Sequence, residues 1–466
     1  MAKEKQNRMR KIPSVEHVLT LPDIASLTNE APRHIVVDAV RKKLDEYRAR
    51  LKEIKGEALE IKESDLAQEI VRDVKNFLLP SLTRAINGIG VILHTGLGRA
   101  PLSPAAKEAL IEVAEFYSNL AIDKEAGKRA ERYRHVEKLL CIITGAEASV
   151  VVNNNAAATL LILDTLTKGK EVIVSRGHLV EIGGSFRIPD IMAKSGAIMV
   201  EVGTTNRTHL KDYKNAISPN TGALLRVHTS NYKIVGFVAE VPLADLVQLG
   251  QEHKLLVVDD LGSGALIDLS KYGLPKEPTV QDSITEGADV ICFSGDKLIG
   301  GPQAGIIVGK KKYIDLIKKN PLTRAMRCCK LTYAALEATL RLFLDEATLL
   351  KNNVTLELIT KDIESIKQEA SNFANRLKDE YGSKLVVSVK EDRSEVGGGS
   401  LATESLPTIV VSIKPKAIKT QELALRLRLY RVPIFGRVAE DQYLLDFRTI
   451  RKDEGPIIIE ALKHCL

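Results

Sequence analysis

Seven short apolar runs punctuate the middle of this chain, at residues 148–152, 171–175, 197–202, 222–227, 254–258, 290–294 and 305–308. Polar, glycine-containing or helix-patterned stretches separate them, which predicts strands alternating with helices. That alternation is the pattern of a mostly parallel α/β sheet, whose ligands lie beyond the carboxyl ends of the strands. Ahead of it, Val40, Leu44, Leu51, Ile54 and Leu59 recur at roughly helical spacing and predict a small helical domain over residues 1–79. Leu78-Leu79-Pro80 closes that segment, because proline cannot continue a helix's hydrogen bonds and restricts the residue before it. An α/β core domain is expected over 80–335. Beyond it, a helical stretch from Leu331 to about Arg376 leads to apolar runs at 384–389, 408–413 and 443–447 and a helix at 419–429. These make an α+β domain over 336–466.

The runs at 290–294 and 305–308 enclose a turn, Gly295-Asp296-Lys297-Leu298-Ile299-Gly300-Gly301-Pro302, with one lysine held among glycines and apolar segments. Desolvation there favours the neutral amine, a nucleophile and base. Such a lysine can form a Schiff base with pyridoxal phosphate, with Ser294 as a hydroxyl ligand for the cofactor phosphate. The bland alternative is a lysine that snorkels out of a hairpin turn. Asp260 stands at a strand end before Leu261-Gly262-Ser263-Gly264, where a carboxylate can keep the pyridinium nitrogen of that cofactor protonated. Asp259 is its rival, pointing to the other side of an extended strand. At Asn153-Asn154-Asn155-Ala156 a strand ends and an alanine-rich helix begins, and its free N–H groups, with the asparagine amides, offer a phosphate cradle.

Arginines supply a second theme. Arg99 sits in the glycine-rich loop His94-Thr-Gly-Leu-Gly-Arg99, just before Ser103 as N-cap and Pro104 at the first helical position. It can grip an anion bidentately, or instead satisfy loop carbonyls. Arg324 and Arg327, three apart, share a face if their segment is helical and can pinch one anion. Val396-Gly397-Gly398-Gly399-Ser400 is a loop that needs glycine's backbone freedom.

Composition narrows the class. At 466 residues with 44% apolar content, the chain can bury two or three cores. Its five cysteines are scattered without metal-ligand spacing, so neither a disulfide framework nor a metal site is expected. No apolar h-region follows the basic start and no run reaches membrane-span length, so a soluble, cytoplasmic protein is expected. The formal charge of +7 is modest, but seven Lys or Arg against three acids between Arg41 and Lys55 form a face able to track a phosphate backbone. A merely solvated helix face is the alternative.

Six stretches occur in order: His94-Thr-Gly-Leu-Gly-Arg99-Ala-Pro-Leu-Ser103, Asn153-Asn-Asn-Ala-Ala-Ala158, Ser175-Arg-Gly-His-Leu-Val-Glu-Ile-Gly-Gly-Ser-Phe-Arg-Ile-Pro-Asp190, Glu201-Val-Gly-Thr-Thr-Asn-Arg-Thr208, Asp260-Leu-Gly-Ser-Gly264 and Phe293-Ser-Gly-Asp-Lys-Leu-Ile-Gly-Gly-Pro-Gln-Ala-Gly305. With them the chain resembles, over essentially its whole length, the bacterial selenocysteine synthases, or L-seryl-tRNA(Sec) selenium transferases. The resemblance implies an α/β, fold-type-I pyridoxal-phosphate-dependent transferase with a large mostly parallel sheet domain, a small α+β C-terminal domain and a helical N-terminal domain that grips tRNA. It implies conversion of seryl-tRNA(Sec) to selenocysteinyl-tRNA(Sec) by loss of the serine hydroxyl and addition of selenium from selenophosphate, in a homo-oligomeric ring of dimers, expected to be a decamer.

By the same resemblance Lys297 is the Schiff-base lysine, Asp260 the pyridinium partner and Asp296 an acid beside it. Asn154, Asn155, Ala156 and Ser294 belong to the cofactor site. Arg99, Arg324 and Arg327 match arginines lining the selenium-donor pocket, and Arg132 matches another active-site arginine. The chain departs from the pattern at Cys328-Cys329, where an aspartate is expected before Lys330, and His178 falls where the family varies. Two other readings share features: a pyridoxal phosphate lyase on a small amino-sugar phosphate, which has no use for a basic N-terminal domain, and a tRNA-binding protein with a vestigial cofactor site, which need not keep Lys297 and Asp260.

Overall fold

The computed structural model describes residues 12–53, 62–183 and 186–466, folded as two compact units, residues 1–84 and 85–466. In the first unit, Ser14 caps α1 (Val15–Thr20) by accepting the His17 N–H at 3.1 Å, and Pro22 opens α2 (Pro22–Leu27). α3 (Arg33–Glu53) and α4 (Glu63–Leu78) bring Val36, Val40, Leu44 and Tyr47 together with Leu66, Ile70 and Val74 in one core. The predicted apolar positions Ile54 and Leu59 lie outside the described residues.

The basic face needs one correction. Lys43 falls between Val40, Leu44 and Tyr47 on the inward stripe and is only 8% exposed, with its amine 2.7 Å from Asp73, 3.0 Å from Glu46 and 3.7 Å from Glu69. It is a structural cation between α3 and α4. Arg41, Lys42 and Arg50 remain exposed, whereas Lys55 lies outside the described residues.

Two large sheets build the second unit, with a two-stranded antiparallel pair, Glu181–Ile182 and Phe186–Arg187, beside them. The larger contains β2 (Ala148–Val152), β3 (Glu171–Ser175), β4 (Ile198–Val202), β5 (Thr221–Val227), β6 (Leu256–Gly262), β7 (Val290–Ser294) and β8 (Gly305–Gly309), in the spatial order β2-β8-β7-β6-β5-β3-β4. β4, β3, β5, β6 and β7 pair in parallel, and β8 runs antiparallel between β7 and β2. β2, β7 and β8 are buried along their whole length, as continuous apolar runs covered on both faces must be. Each fully buried valine or isoleucine there contributes about 1.5–3 kcal/mol.

The second sheet takes β1 (Ile86–Gly88), β9 (Leu385–Gly397), β10 (Ser400–Pro415), β11 (Ile434–Ala439) and β12 (Gln442–Asp446), ordered β1-β11-β12-β10-β9. β1 pairs in parallel with β11, so the stretch just ahead of the glycine-rich loop of Arg99 is sewn into the C-terminal sheet. The helical stretch predicted from Leu331 onward divides into four helices, Lys330–Leu342, Glu346–Asn352, Val354–Thr360 and Ile363–Tyr381. Asp345, Asn353 and Asp362 each start a new one, accepting an N–H three residues on. Among the described residues no helix is long and apolar enough to cross a membrane.

Candidate active site

β7 and β8 pair with Ser294 opposite Gly305, and the turn between them is closed by bonds from the Gly295 N–H to the Ala304 carbonyl at 2.8 Å and from the Gly300 N–H to the Lys297 carbonyl at 2.9 Å. The turn therefore cannot let Lys297 reach solvent, and the residue is 4% exposed. Among the described residues its amine donates to the Gly399 carbonyl at 3.4 Å. Burial, then the charge of Arg99, draws the amine down to about 8, against the pull of Asp260 and Asp296.

The partner carbonyl comes from the turn joining β9 to β10. Gly397, Gly398 and Gly399 have φ of 73°, 64° and 70° there, and a Cβ on Gly398 would stand 3.0 Å from the Leu93 carbonyl oxygen. Only glycine fits so close a pass in that backbone region.

Asp260, two residues before the end of β6, faces the same space. Its carboxylate accepts from Asn155 Nδ2 at 2.8 Å, Thr159 Oγ1 at 2.9 Å and the Gly262 N–H at 3.1 Å. Burial raises the carboxyl above its ordinary value, and these three bonds oppose that rise. Asp259 points the other way, held by Arg226 at 3.2 Å and Ser283 at 2.7 Å. The choice between neighbouring aspartates, open in the sequence, falls to Asp260 because it alone meets the cavity.

α5 (Pro104–Glu115) starts as its cap residue predicts, with Ser103 accepting the Ala106 N–H, and α6 (Asn155–Leu166) starts where the strand-to-helix turn was expected, capped by Asn154, which accepts the Ala157 N–H at 2.8 Å. Gly305 is obligatory beside α6, since a Cβ there would lie 2.0 Å from the Asn154 carbonyl oxygen. The start of α6 thus presents Asn154, Asn155 and Ala156 to a cavity of about 300 Å³ that Ser294, Asp296 and Lys297 also line. Arg99 enters from its loop with Nη1 2.7 Å from Asp296 Oδ2, on a backbone with φ 61°, a left-handed conformation that non-glycine residues seldom adopt.

The remaining arginines are placed differently. Arg324 lies in a one-turn helix, Leu322–Ala325, which ends before Arg327, so the two do not share a helix face as expected. The cause is the edge of β2: Arg327 bridges to Val152, and the Met326 carbonyl accepts the Asn153 N–H at 2.9 Å, pulling the chain into extended pairing. Arg132 donates to the Cys328 carbonyl at 3.2 Å, and burial together with the charges of Arg327 and Arg324 lowers its guanidinium from the usual value. These three form a cationic cluster beside the β2 to α6 turn and do not line the Lys297 cavity.

Cys329, in place of the expected aspartate, is the N-cap of the Lys330–Leu342 helix and gives it no side-chain cap bond. The departure therefore costs about 1 kcal/mol of helix capping and leaves the arginines in place. His178 bonds Glu240 at 3.2 Å outside the cavity. Thr95, His228, Ser230 and Gln303 line the cavity without having been singled out in the sequence. Only their positions just after strands or in the glycine-rich turns hinted at them.

The cavity fits pyridoxal phosphate: Asn155 Oδ1, His228 Nδ1 and Ser230 Oγ are buried with no partner among the described residues, around an amine and a carboxylate, and its size suits a small cofactor. Fold and site together define a fold-type-I enzyme that depends on pyridoxal phosphate. A solved structure of D-glucosaminate-6-phosphate ammonia-lyase shares this fold, with a TM-score of 0.57 and 21% identity, covering 82% of this chain and 96% of that one.

The sequence relatives are closer. Residues 85–451 match the family described as SelA, L-seryl-tRNA selenium transferase, and residues 9–48 match selenocysteine synthase N terminal. The chain is 50% identical to an L-seryl-tRNA(Sec) selenium transferase of Alkaliphilus oremlandii, covering 98% of both chains. It is 48% identical to that of Geobacter sulfurreducens, covering 97% of this chain and 98% of that one. The chain belongs to the L-seryl-tRNA(Sec) selenium transferase family.

Proposed function

We propose that this chain converts L-seryl-tRNA(Sec) to L-selenocysteinyl-tRNA(Sec), with selenophosphate as the selenium donor. One observation carries the reading: a buried amine facing Asp260 in a cavity that fits pyridoxal phosphate, within a chain that matches transferases of that name end to end. When bound, the cofactor supplies an electron sink for the substrate's Cα. Lys297 anchors it and, with an amine drawn to about 8, moves the proton at Cα near neutral pH. Asp260 would hold the ring nitrogen, and the N–H groups at the start of α6 with Ser294 would hold the phosphate. Asp296 keeps Arg99 aimed across the cavity.

Arg99, Arg132, Arg324 and Arg327 are the proposed anion-binding residues for selenophosphate. Because three of them stand outside the Lys297 cavity, the reading includes association of copies, a ring of dimers, to complete the site. Exposed apolar side chains such as Phe116, Tyr117 and Phe237, at 60%, 107% and 87% exposure, support self-association. The first unit, through Arg41, Lys42 and Arg50, is the proposed tRNA grip. A tRNA substrate also supports a cytoplasmic location. The amino-sugar phosphate lyase reading rests on fold alone, and a vestigial site need not retain Lys297 and Asp260, which here share one cavity.

The test is single-turnover product analysis with seryl-tRNA(Sec), pyridoxal phosphate and limiting selenophosphate. The wild-type protein is expected to yield the selenocysteinyl product. Arg324→Ala or Arg327→Ala should keep cofactor and seryl-tRNA binding yet lose at least roughly tenfold in that product, equivalent to about 1.4 kcal/mol. Normal yields in both variants would sink the anion-site assignment.

A further inference from the structure

Two buried polar groups beside the cavity have no part in the chemistry above. His228, the residue after β5, is fixed by its N–H to the Asp260 carbonyl at 2.8 Å, and its Nδ1 is buried with no partner. Its Nε2 faces Glu277 Oε2 at 3.8 Å, with the two side chains 16% and 14% exposed. Glu277 Oε2 is itself buried without a hydrogen-bond partner. Glu277 belongs to the loop after β6 that Thr279 anchors, through a capping box with Asp282 and a bridge to Ala265. Buried polar atoms without partners cost roughly 1–3 kcal/mol each, so such a pair at a cavity calls for a ligand or a shared proton.

We propose that Glu277 is a positioning residue, acting through His228 to set which ring nitrogen carries the proton and so to present an Nδ1–H to an oxygen atom in the cavity. The inference rests on the cofactor reading above. The oxygen belongs either to the cofactor ring or to the serine hydroxyl that departs, and the two give different readouts.

The electrostatics agree with the geometry. Burial, with the charge of Glu404, pushes Glu277 up to about 7, while burial and Arg226 draw His228 down to about 4. Glu404 faces Glu277 and pairs with Lys233 at 3.6 Å. Around His228 stand Arg226, Glu240, His178 and Lys297. Below neutrality the proton of the pair sits on Glu277, whose O–H, once the 3.8 Å gap closes or a water bridges it, donates to Nε2 and leaves the hydrogen on Nδ1. As pH rises, the ionised carboxylate takes the Nε2–H, and Nδ1 offers a lone pair instead.

Glu277→Gln mimics the protonated form at every pH, because its amide N–H donates to Nε2 without titrating. The experiment follows the visible spectrum of the full-length protein loaded with pyridoxal phosphate, and the single-turnover rate of serine dehydration, from about pH 6 to about pH 9. If the ring oxygen is the partner, the wild-type resting spectrum carries an ionisation that E277Q lacks. If the serine hydroxyl is the partner, resting spectra coincide, but one pH unit above the ionisation E277Q retains a rate from which wild type has fallen about tenfold. Spectra and rate profiles of E277Q that both superimpose on wild type overturn the proposal. Should E277Q fail to take up cofactor, His228→Asn, which keeps a donor near Nδ1 without a titrating ring, must show the same flattened profile; a wild-type profile in it overturns the proposal as well. A wild-type protein that shows no visible band with pyridoxal phosphate instead overturns the cofactor reading on which all this rests.

Discussion

Lys43 in the first unit and Lys297 in the second are both buried, 8% and 4% exposed, yet their surroundings differ in every other respect. Lys43 is ringed by Glu46, Glu69 and Asp73. Burial lowers its amine, but bonds to Asp73 and Glu46 outweigh that and raise it above its ordinary value. Lys297 has a backbone carbonyl at 3.4 Å and the nearby charge of Arg99, and falls to about 8. Burial alone therefore does not make a lysine reactive; the carboxylates within bonding reach decide.

The two also bear on stability with opposite sign. Lys43's contribution is present below its unfolded value of 10.5 and is lost as pH rises through its higher folded value. Lys297 imposes a cost of order 3 kcal/mol on the cofactor-free fold below about pH 8, a cost that disappears as pH climbs to 10.5.

Exchange of either lysine breaks the comparison in its own way. The largest effect is expected from Lys297→Ala, which should abolish borohydride-trapped attachment of pyridoxal phosphate and lower selenocysteine formation at least roughly a hundredfold. Peptide mapping after reduction checks it, and label on another lysine would refute the assignment. Lys43→Met should leave cofactor attachment intact but destabilise the first unit by about 2 kcal/mol, since three partly exposed acids lose their shared counter-charge and water offsets part of the loss. Urea unfolding followed by a probe in that unit measures this, and an unchanged midpoint would show the carboxylates relaxing into solvent.

The reactive lysine was legible in the sequence and the structural one was not, for a physical reason. Lys297 lies between two apolar runs and among glycines, so its confinement is written in consecutive residues. Lys43 lies in a run of charges, and its burial follows from the phase of α3 against Val40 and Leu44 and from carboxylates on α4. Arg324 and Arg327 illustrate the same limit: helical spacing suggested one face, but the open edge of β2 captured Arg327. Asp260, the start of α6, the Ser103 cap and the glycine turn at 397–399 were readable because strand ends and helix starts are local. His228 and Glu277, 49 positions apart by their numbers, meet only through the order of the strands.

The smallest effect expected sharpens the comparison most, because it asks whether Lys297 can be moved toward the state of Lys43. Arg99 is the second cause of the lowered amine, after burial, and its guanidinium also occupies Asp296 at 2.7 Å. Arg99→Ala removes a like charge and releases a carboxylate beside Lys297, and both changes favour the ammonium form. The replacement also faces the left-handed backbone at φ 61°, so some local relaxation of the loop is expected. The pH midpoint for trapping pyridoxal phosphate on Lys297 at limiting cofactor should rise by about one unit, close to 1.4 kcal/mol. Arg99→Lys, which keeps the charge, should hold the midpoint near wild type even if selenium transfer suffers from the lost bidentate grip. A midpoint in Arg99→Ala that stays or falls would mean that burial alone lowers the amine and that Arg99 serves only the anion.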